Sequence, residues 1–136
     1  MEAIRLDLPE QSTSAMQLQE LIYRYMAMWH EADPALRRTR IEKLWAPDAV
    51  NYVRTFAFRG HDAIESRVSD AYNKWVAQSG YVFQPVGNTF GLKNGVKFSW
   101  VMVPAGGGEP QGRGCDFLVL GEDGRIQADY QFPEAA

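Results

Sequence analysis

The sequence predicts an α+β domain in which three N-terminal helices cover one face of a curved, mostly antiparallel sheet. Three observations predict it. Apolar residues recur at helical spacing in three segments before residue 78. From Tyr81 onward the period changes to alternation, with β-branched and aromatic residues prominent. Gly, Pro and Asn then divide that second half into short runs. Helices first and antiparallel strands afterwards pack as two layers. A long sheet bent around helices encloses a cone, whose mouth suits a small ligand.

Residues 1–12, which include Pro9, read as a loose arm, and residues 13–136 as a single domain. The first helix starts near Ser12 to Ser14 and runs to about His30, with Leu18, Leu21, Ile22, Tyr25, Met28 and Trp29 on the inward side. The second begins in "ADPALRRTRIEKLW", where Asp33 is the N-cap and Pro34 presets φ at the first helical position. Pro47 closes it just after Trp45. "DAVNYVRTFAF" reads as one strand, and a turn at Arg59 and Gly60 leads into a third helix over about Asp62 to Ala77, with Ile64, Val68, Ala71, Tyr72, Trp75 and Val76 as its apolar stripe. "YVFQPVGN", "GVKFSWVMVP" and the two arms of "GCDFLVLGEDGRIQADYQF" supply four more strands, with "AGGGEPQG" as a hairpin loop.

A chain of 136 residues holds one domain with a core of its own. The formal net charge of -3 and scattered basic residues argue against nucleic acid. The one basic run, Arg37 to Arg40, falls on a helix and reads as a solvated face. A lone Cys115 excludes an internal disulfide and reads as a small buried hydrophobe. No apolar run approaches the roughly 18 residues that span a bilayer, and "MEAIRLDLPE" has no signal-peptide core, so a cytoplasmic protein without membrane contact is expected.

The chemistry that stands out is a pair of carboxylates. If "GEDG" makes a tight turn in which Gly121 pairs with Gly124, residues whose numbers sum to 245 lie opposite each other, and Asp116 faces Asp129. Two carboxylates that close cannot both ionise cheaply, and such a pair suits acid and base work or a grip on a polar ligand. Leu118 and Leu120 share the face of Asp116, which argues for a covered face there. Asp129 shares its face with Gln127 and Gln131, which leaves two readings: a pocket, or a polar side turned to water with Ile126, Ala128, Tyr130 and Phe132 forming a dimer contact on the other. His30, at a helix C-terminus, is expected to interact with the negative end of that helix, and His61 to cap or border the third helix. Arg54 is either a pocket counter-ion or an exposed strand residue. No grouping has metal-ligand spacing, so no metal is expected.

In order and spacing, "IYRYMAMWHEADPALRRTRIEKLWAPDAV", "RGHDAIESRV" and "DFLVLGEDGRI" resemble the nuclear-transport-factor-2-like superfamily, and within it SnoaL-like proteins such as polyketide cyclases and ketosteroid isomerase. The resemblance covers nearly the whole chain and implies a cystatin-like cone. It implies Tyr25 of "RYMA" and Asp116, eight residues before Gly124, as the two oxyanion donors of the isomerase. The base position is Val53, which carries no proton, and the carboxylate that related epoxide hydrolases place on the last strand is Gln131 here. The catalytic candidates are therefore Asp116, Asp129 and Tyr25, and the ligand-binding candidates Val53, Trp29, Gln131 and Leu118. Two functions follow. One is a cofactor-free acid/base enzyme of isomerase, cyclase or hydrolase type acting on a small hydrophobic oxygenated molecule. The other is a non-catalytic binding or accessory domain, with a homodimer through the sheet expected in both cases.

Overall fold

A computed structural model describes Ala3 and residues 14–135, so the expected arm at residues 1–12 lies almost wholly outside the described residues. Helix α1 (Ala15–His30) begins at Ser14, whose hydroxyl accepts from the Gln17 backbone while the Gln17 side chain accepts from the Ser14 backbone, a reciprocal cap that satisfies two otherwise free donors. Its predicted stripe from Leu18 to Trp29 is buried. Helix α2 (Pro34–Leu44) is capped by Asp33, which accepts from Ala35, with Pro34 in the first turn.

The basic run on α2 is only partly a solvated face. Arg37 is 4% exposed. Its guanidinium donates to the backbone carbonyls of Glu31 and Ala32 and to Ser69 Oγ, and lies 4.7 Å over the Tyr72 ring. It thus closes the carbonyl end of α1 and ties it to α3. Arg38 and Arg40 point outward and pair with carboxylates, Arg38 with Glu42, Asp62 and Glu65 and Arg40 with Glu31.

The expected strand over residues 48–58 is a hairpin. Strand β1 (Trp45–Val53) turns back at Arg54 and Thr55 into β2 (Phe56–Arg59), with Val53 opposite Phe56. Arg54 takes φ 54°, a left-handed conformation unusual for a side-chain-bearing residue. Helix α3 (Gly60–Ala71) buries Ile64, Val68 and Ala71, then widens into a π-helical segment, Tyr72–Gln78. The wider turn breaks the 3.6-residue phase. Tyr72, Trp75 and Val76, predicted to continue the buried stripe, are accordingly only half-buried.

The remaining strands are β3 (Tyr81–Pro85), β4 (Phe90–Leu92), β5 (Gly95–Pro104), β6 (Gly112–Leu120) and β7 (Ile126–Ala135). Short β4, absent from the expectation, pairs with β5. Among the described residues the seven strands form one curved, unclosed sheet in the order β2-β1-β7-β6-β5-β3, with β4 off this path and paired to β5, antiparallel except where β1 and β7 run parallel. The core, centred on Tyr25, Met28, Ile41, Trp45, Ile64, Val68, Phe98, Leu118 and Ile126, lies between the helices and the concave face. Among the described residues, no helix is long and apolar enough to cross a membrane.

Candidate functional site

The two carboxylates meet, but not by the predicted register. Gly121 N–H donates to Arg125 O, so the loop holds three residues, Glu122, Asp123 and Gly124, with Gly124 at φ 82°. A bulge follows: Leu120 pairs with Ile126 while Val119 pairs with Ala128, leaving Gln127 unmatched. Each irregularity advances the pairing by one residue. Asp116 consequently lies opposite Gln131, and Asp129 opposite Leu118. The same bulge lets Ile126 and Asp129 both face inward, which simple alternation forbids. Asp129 is therefore in the interior, and Gln127 alone of its predicted face partners is exposed.

Tyr25 joins the diagonal pair. Its hydroxyl lies 2.9 Å from Asp116 Oδ2 and 2.5 Å from Asp129 Oδ2. Its ring is held edge-on by Trp29 at 6.1 Å and Phe98 at 5.3 Å. Trp100 Nε1 donates to Asp116 Oδ1 at 2.7 Å, and Asn51 Nδ2 to Asp129 Oδ2 at 3.2 Å. Both carboxyls and the phenol are essentially without exposed surface.

One hydroxyl proton cannot serve two acceptors. Burial, then the neighbouring Asp116 charge and hydrogen bond, pushes the Asp129 carboxyl well above the usual range, although the Tyr25 and Asn51 hydrogen bonds oppose this. Burial and the two carboxylates likewise push the Tyr25 phenol up, so it remains a donor. The arrangement that satisfies all three groups has protonated Asp129 donating to the Tyr25 oxygen and Tyr25 donating to Asp116. Buried Asp129 Oδ1 and Asn51 Oδ1 have no hydrogen-bond partner among the described residues.

Above this cluster the sheet and helices enclose a cavity of about 560 Å³. Tyr25, Trp29, Val53 and Gln131 line it, while Asp116 and Asp129 lie beneath the wall and Leu118 is fully buried in the core. Of the catalytic candidates, Tyr25 alone belongs to the cavity wall. His30 is structural: Phe83 N–H donates to its Nε2 at 2.9 Å, so Nδ1 carries the hydrogen and donates to Met26 O at the end of α1. His61, in the first turn of α3, donates from Nε2 to Trp45 O. Cys115 is half-buried on the convex face opposite Phe132, not in the core.

A family model described as the SnoaL-like domain matches residues 22–128. The chain belongs to the SnoaL-like domain family. The matched stretch runs from the middle of α1 into β7 and contains Tyr25, Asp116 and every strand pairing partner of the cluster except Asp129 and Gln131. The crystal structure of a proposed isomerase of the SnoaL-like family from Agrobacterium tumefaciens is similar, with TM-score 0.79 and 26% identity over 88% of this chain and 99% of that one. A proposed polyketide cyclase from Sinorhizobium meliloti (TM-score 0.64, 19% identity, 87% and 98% covered) shares the fold. So does a nuclear-transport-factor-2-like protein of unknown function from Exiguobacterium (0.65, 17%, 85% and 99%). No curated protein matches.

Three members of this SnoaL-like site were not read from the sequence. Trp100 is legible in hindsight, because it alternates with inward Phe98 and Met102 in "FSWVM". It reaches Asp116 because its strand partner is Gly114: a Cβ there would lie 2.5 Å from Trp100 Cζ2. Asn51 alternates with Val53 on β1 and pairs with Asp129 across the parallel junction. Arg67 gave no signal beyond its place on a helix. It lines the cavity, donates from Nη2 to Gln131 Oε1 at 3.0 Å, and has its guanidinium 5.3 Å over Trp29.

Proposed function

We propose that this SnoaL-like domain binds a small, hydrophobic, oxygenated molecule in the cavity and assists proton transfer on it, in isomerisation or cyclisation. The observation that carries the reading is the Tyr25 hydroxyl held between two buried carboxyls at the cavity wall. A phenol fixed in a water-poor site stabilises negative charge developing on a ligand oxygen, and Asp129 keeps a second proton behind it. The proton donor side of such chemistry is thus provided by the chain, without a cofactor.

A second reading, a binding domain without turnover, is favoured by Val53, which occupies the wall where the resemblance calls for a base, and by the absence of exposed surface on Asp116 and Asp129. In both, two copies associate through the convex face. There Phe117, Tyr130 and Phe132 stand exposed, with Phe117 opposite Tyr130 and Tyr52 stacked on Tyr130 at 5.0 Å.

Exchange of the α-hydrogens of a bicyclic ketone such as 2-tetralone in D2O, followed by NMR, separates the readings. Proton transfer predicts exchange faster than in protein-free buffer and lost in Tyr25→Phe. Binding of the ketone without faster exchange favours the second reading, and failure of the ketone to bind removes both.

A further inference from the structure

The cavity wall carries more positive than negative charge, although the whole chain is acidic at -3. Four cationic residues, Arg54, Arg67, Lys74 and Arg113, line it against two acidic ones, Asp70 and Glu134. Glu134 is taken up by Arg113 at 3.5 Å. Lys74 lies over the Trp75 ring, 4.6 Å from its centroid. Arg67 is the unusual member. It forms no ion pair among the described residues. Among the described residues its buried Nε finds no acceptor, and its Nη2 donates to the neutral amide of Gln131.

A half-buried guanidinium without a carboxylate is costly, and the aromatic faces of Trp29 and Phe58, at 5.3 and 6.0 Å, compensate only in part. Burial pulls Arg67 down from the usual arginine range, but an arginine keeps its charge. Tyr25 and, beneath the wall, Asp129 and Asp116 oppose this pull through space, while Arg54, also within electrostatic reach, adds a like charge. Arg54 stands in the left-handed turn between β1 and β2, where its neighbours Val53 and Phe56 are also cavity residues. Two guanidiniums without a direct carboxylate partner among the described residues, one of them offset only through space by the buried carboxyls beneath the wall, stand beside one apolar cavity and form a receptor for an anion on a hydrophobic body.

We propose that the ligand of this cavity is an organic carboxylate on an aromatic or alicyclic body, with Arg67 as the counter-ion of its carboxylate and Arg54 as a second cation at the rim. The inference rests on the proposed use of the cavity for a small ligand and names its chemical class. The apolar body lies against Trp29, Phe83 and Trp100, and the carboxylate accepts from Arg67 beside Gln131. Gln131 then acts as a neutral placeholder, able to yield the guanidinium to the ligand or to share it.

Isothermal titration of the full chain with anthracene-2-carboxylate and with anthracene-2-carboxamide tests this, since the two probes share a body and differ in charge. A charge-assisted hydrogen bond in a half-buried site predicts a carboxylate preference of about 10- to 100-fold in the wild type, reduced by added salt. In Arg67→Gln the preference should fall to about 2-fold or less, because only the salt-screened rim charge remains. Arg67→Lys, which keeps the charge but not the planar fork, should retain part of it. Melting curves establish that each variant is folded, and if Arg67→Gln is not, the wild-type comparison and Arg67→Lys decide. Equal or tighter binding of the carboxamide overturns the carboxylate assignment while leaving the cavity as a ligand site. Binding of neither probe overturns both.

Discussion

Replacing Tyr25 by phenylalanine deletes one oxygen and leaves every ring contact in place, so its effect isolates the hydroxyl. The ring, 1% exposed, keeps its edge contacts with Trp29 and Phe98. The loss falls on the carboxyls: besides each other, Asp116 keeps Trp100, and Asp129 keeps Asn51 at 3.2 Å with Oδ1 already unpartnered. A hydrogen bond to a charged group contributes about 1.5–3 kcal/mol net, and a buried polar group left without its partner, as Asp116 and Asp129 both would be, costs about as much. Relief from burying the phenol O–H offsets about 1 kcal/mol of this. The expected destabilisation is about 2–3 kcal/mol at neutral pH, or roughly 6–10 °C in Tm for a domain of this size. Urea unfolding of wild type and variant should show a lower midpoint at unchanged slope. A variant within about 0.5 kcal/mol of wild type at neutral pH would show that the hydroxyl does not hold the carboxyls, and the reading of a shared-proton cluster would be wrong.

Three other outcomes are expected. Because the native Asp129 carboxyl is raised by burial and by Asp116, the folded state binds more protons than the unfolded chain above about pH 3.9; stability is full below that value and is lost as pH rises through the native one. Asp129→Asn should flatten this slope and be at least as stable as wild type at pH 7, and identical pH profiles in urea titrations would contradict it. Gly114→Ala places a Cβ 2.5 Å from Trp100 and 2.7 Å from Phe132 O, so it should cost about 1–3 kcal/mol by overpacking and shift the tryptophan emission; an unchanged spectrum and midpoint would mean Trp100 has room to spare. Phe132→Glu, at a site 55% exposed in one chain, should turn a dimer into a monomer in sedimentation with little change in the fold; an assembly state that is the same for both proteins removes the convex face from consideration.

The helices were legible because their signals are local. Ser14, Asp33 and Pro34 act on the next few residues, and the apolar stripe of α1 repeats at a period that packing then confirms. The strands' existence was legible too, but the pairing of β6 with β7 was not, because loop length and bulge position depend on backbone geometry more than on residue type. "GEDG" admits both a two-residue and a three-residue loop, and Gln127 carries no mark of being the unmatched residue. That Asp116 and Asp129 meet was right, but the cross-strand geometry that suggested it was not. Arg37 and Arg67 show the other limit. Their burial is set by what α1 and the sheet place against them, and a charged residue on a helix gives no hint of it.

The strand order also has a temporal side. β7, last along the chain, lies in the middle of the sheet, with β1 on one flank and β6 on the other. Tyr25 and Asp129 are separated by 104 residues yet share a hydrogen bond. During synthesis β1 and β6 therefore wait with open edges, and neither the sheet nor the carboxyl cluster can close until Ile126–Ala135 has emerged. Long-range pairing of this kind folds slowly, and unpaired edges in the interval invite pairing with other chains. The assembly of the site thus waits on β7: a chain cut before Ile126 lacks the central strand and the second carboxyl at once.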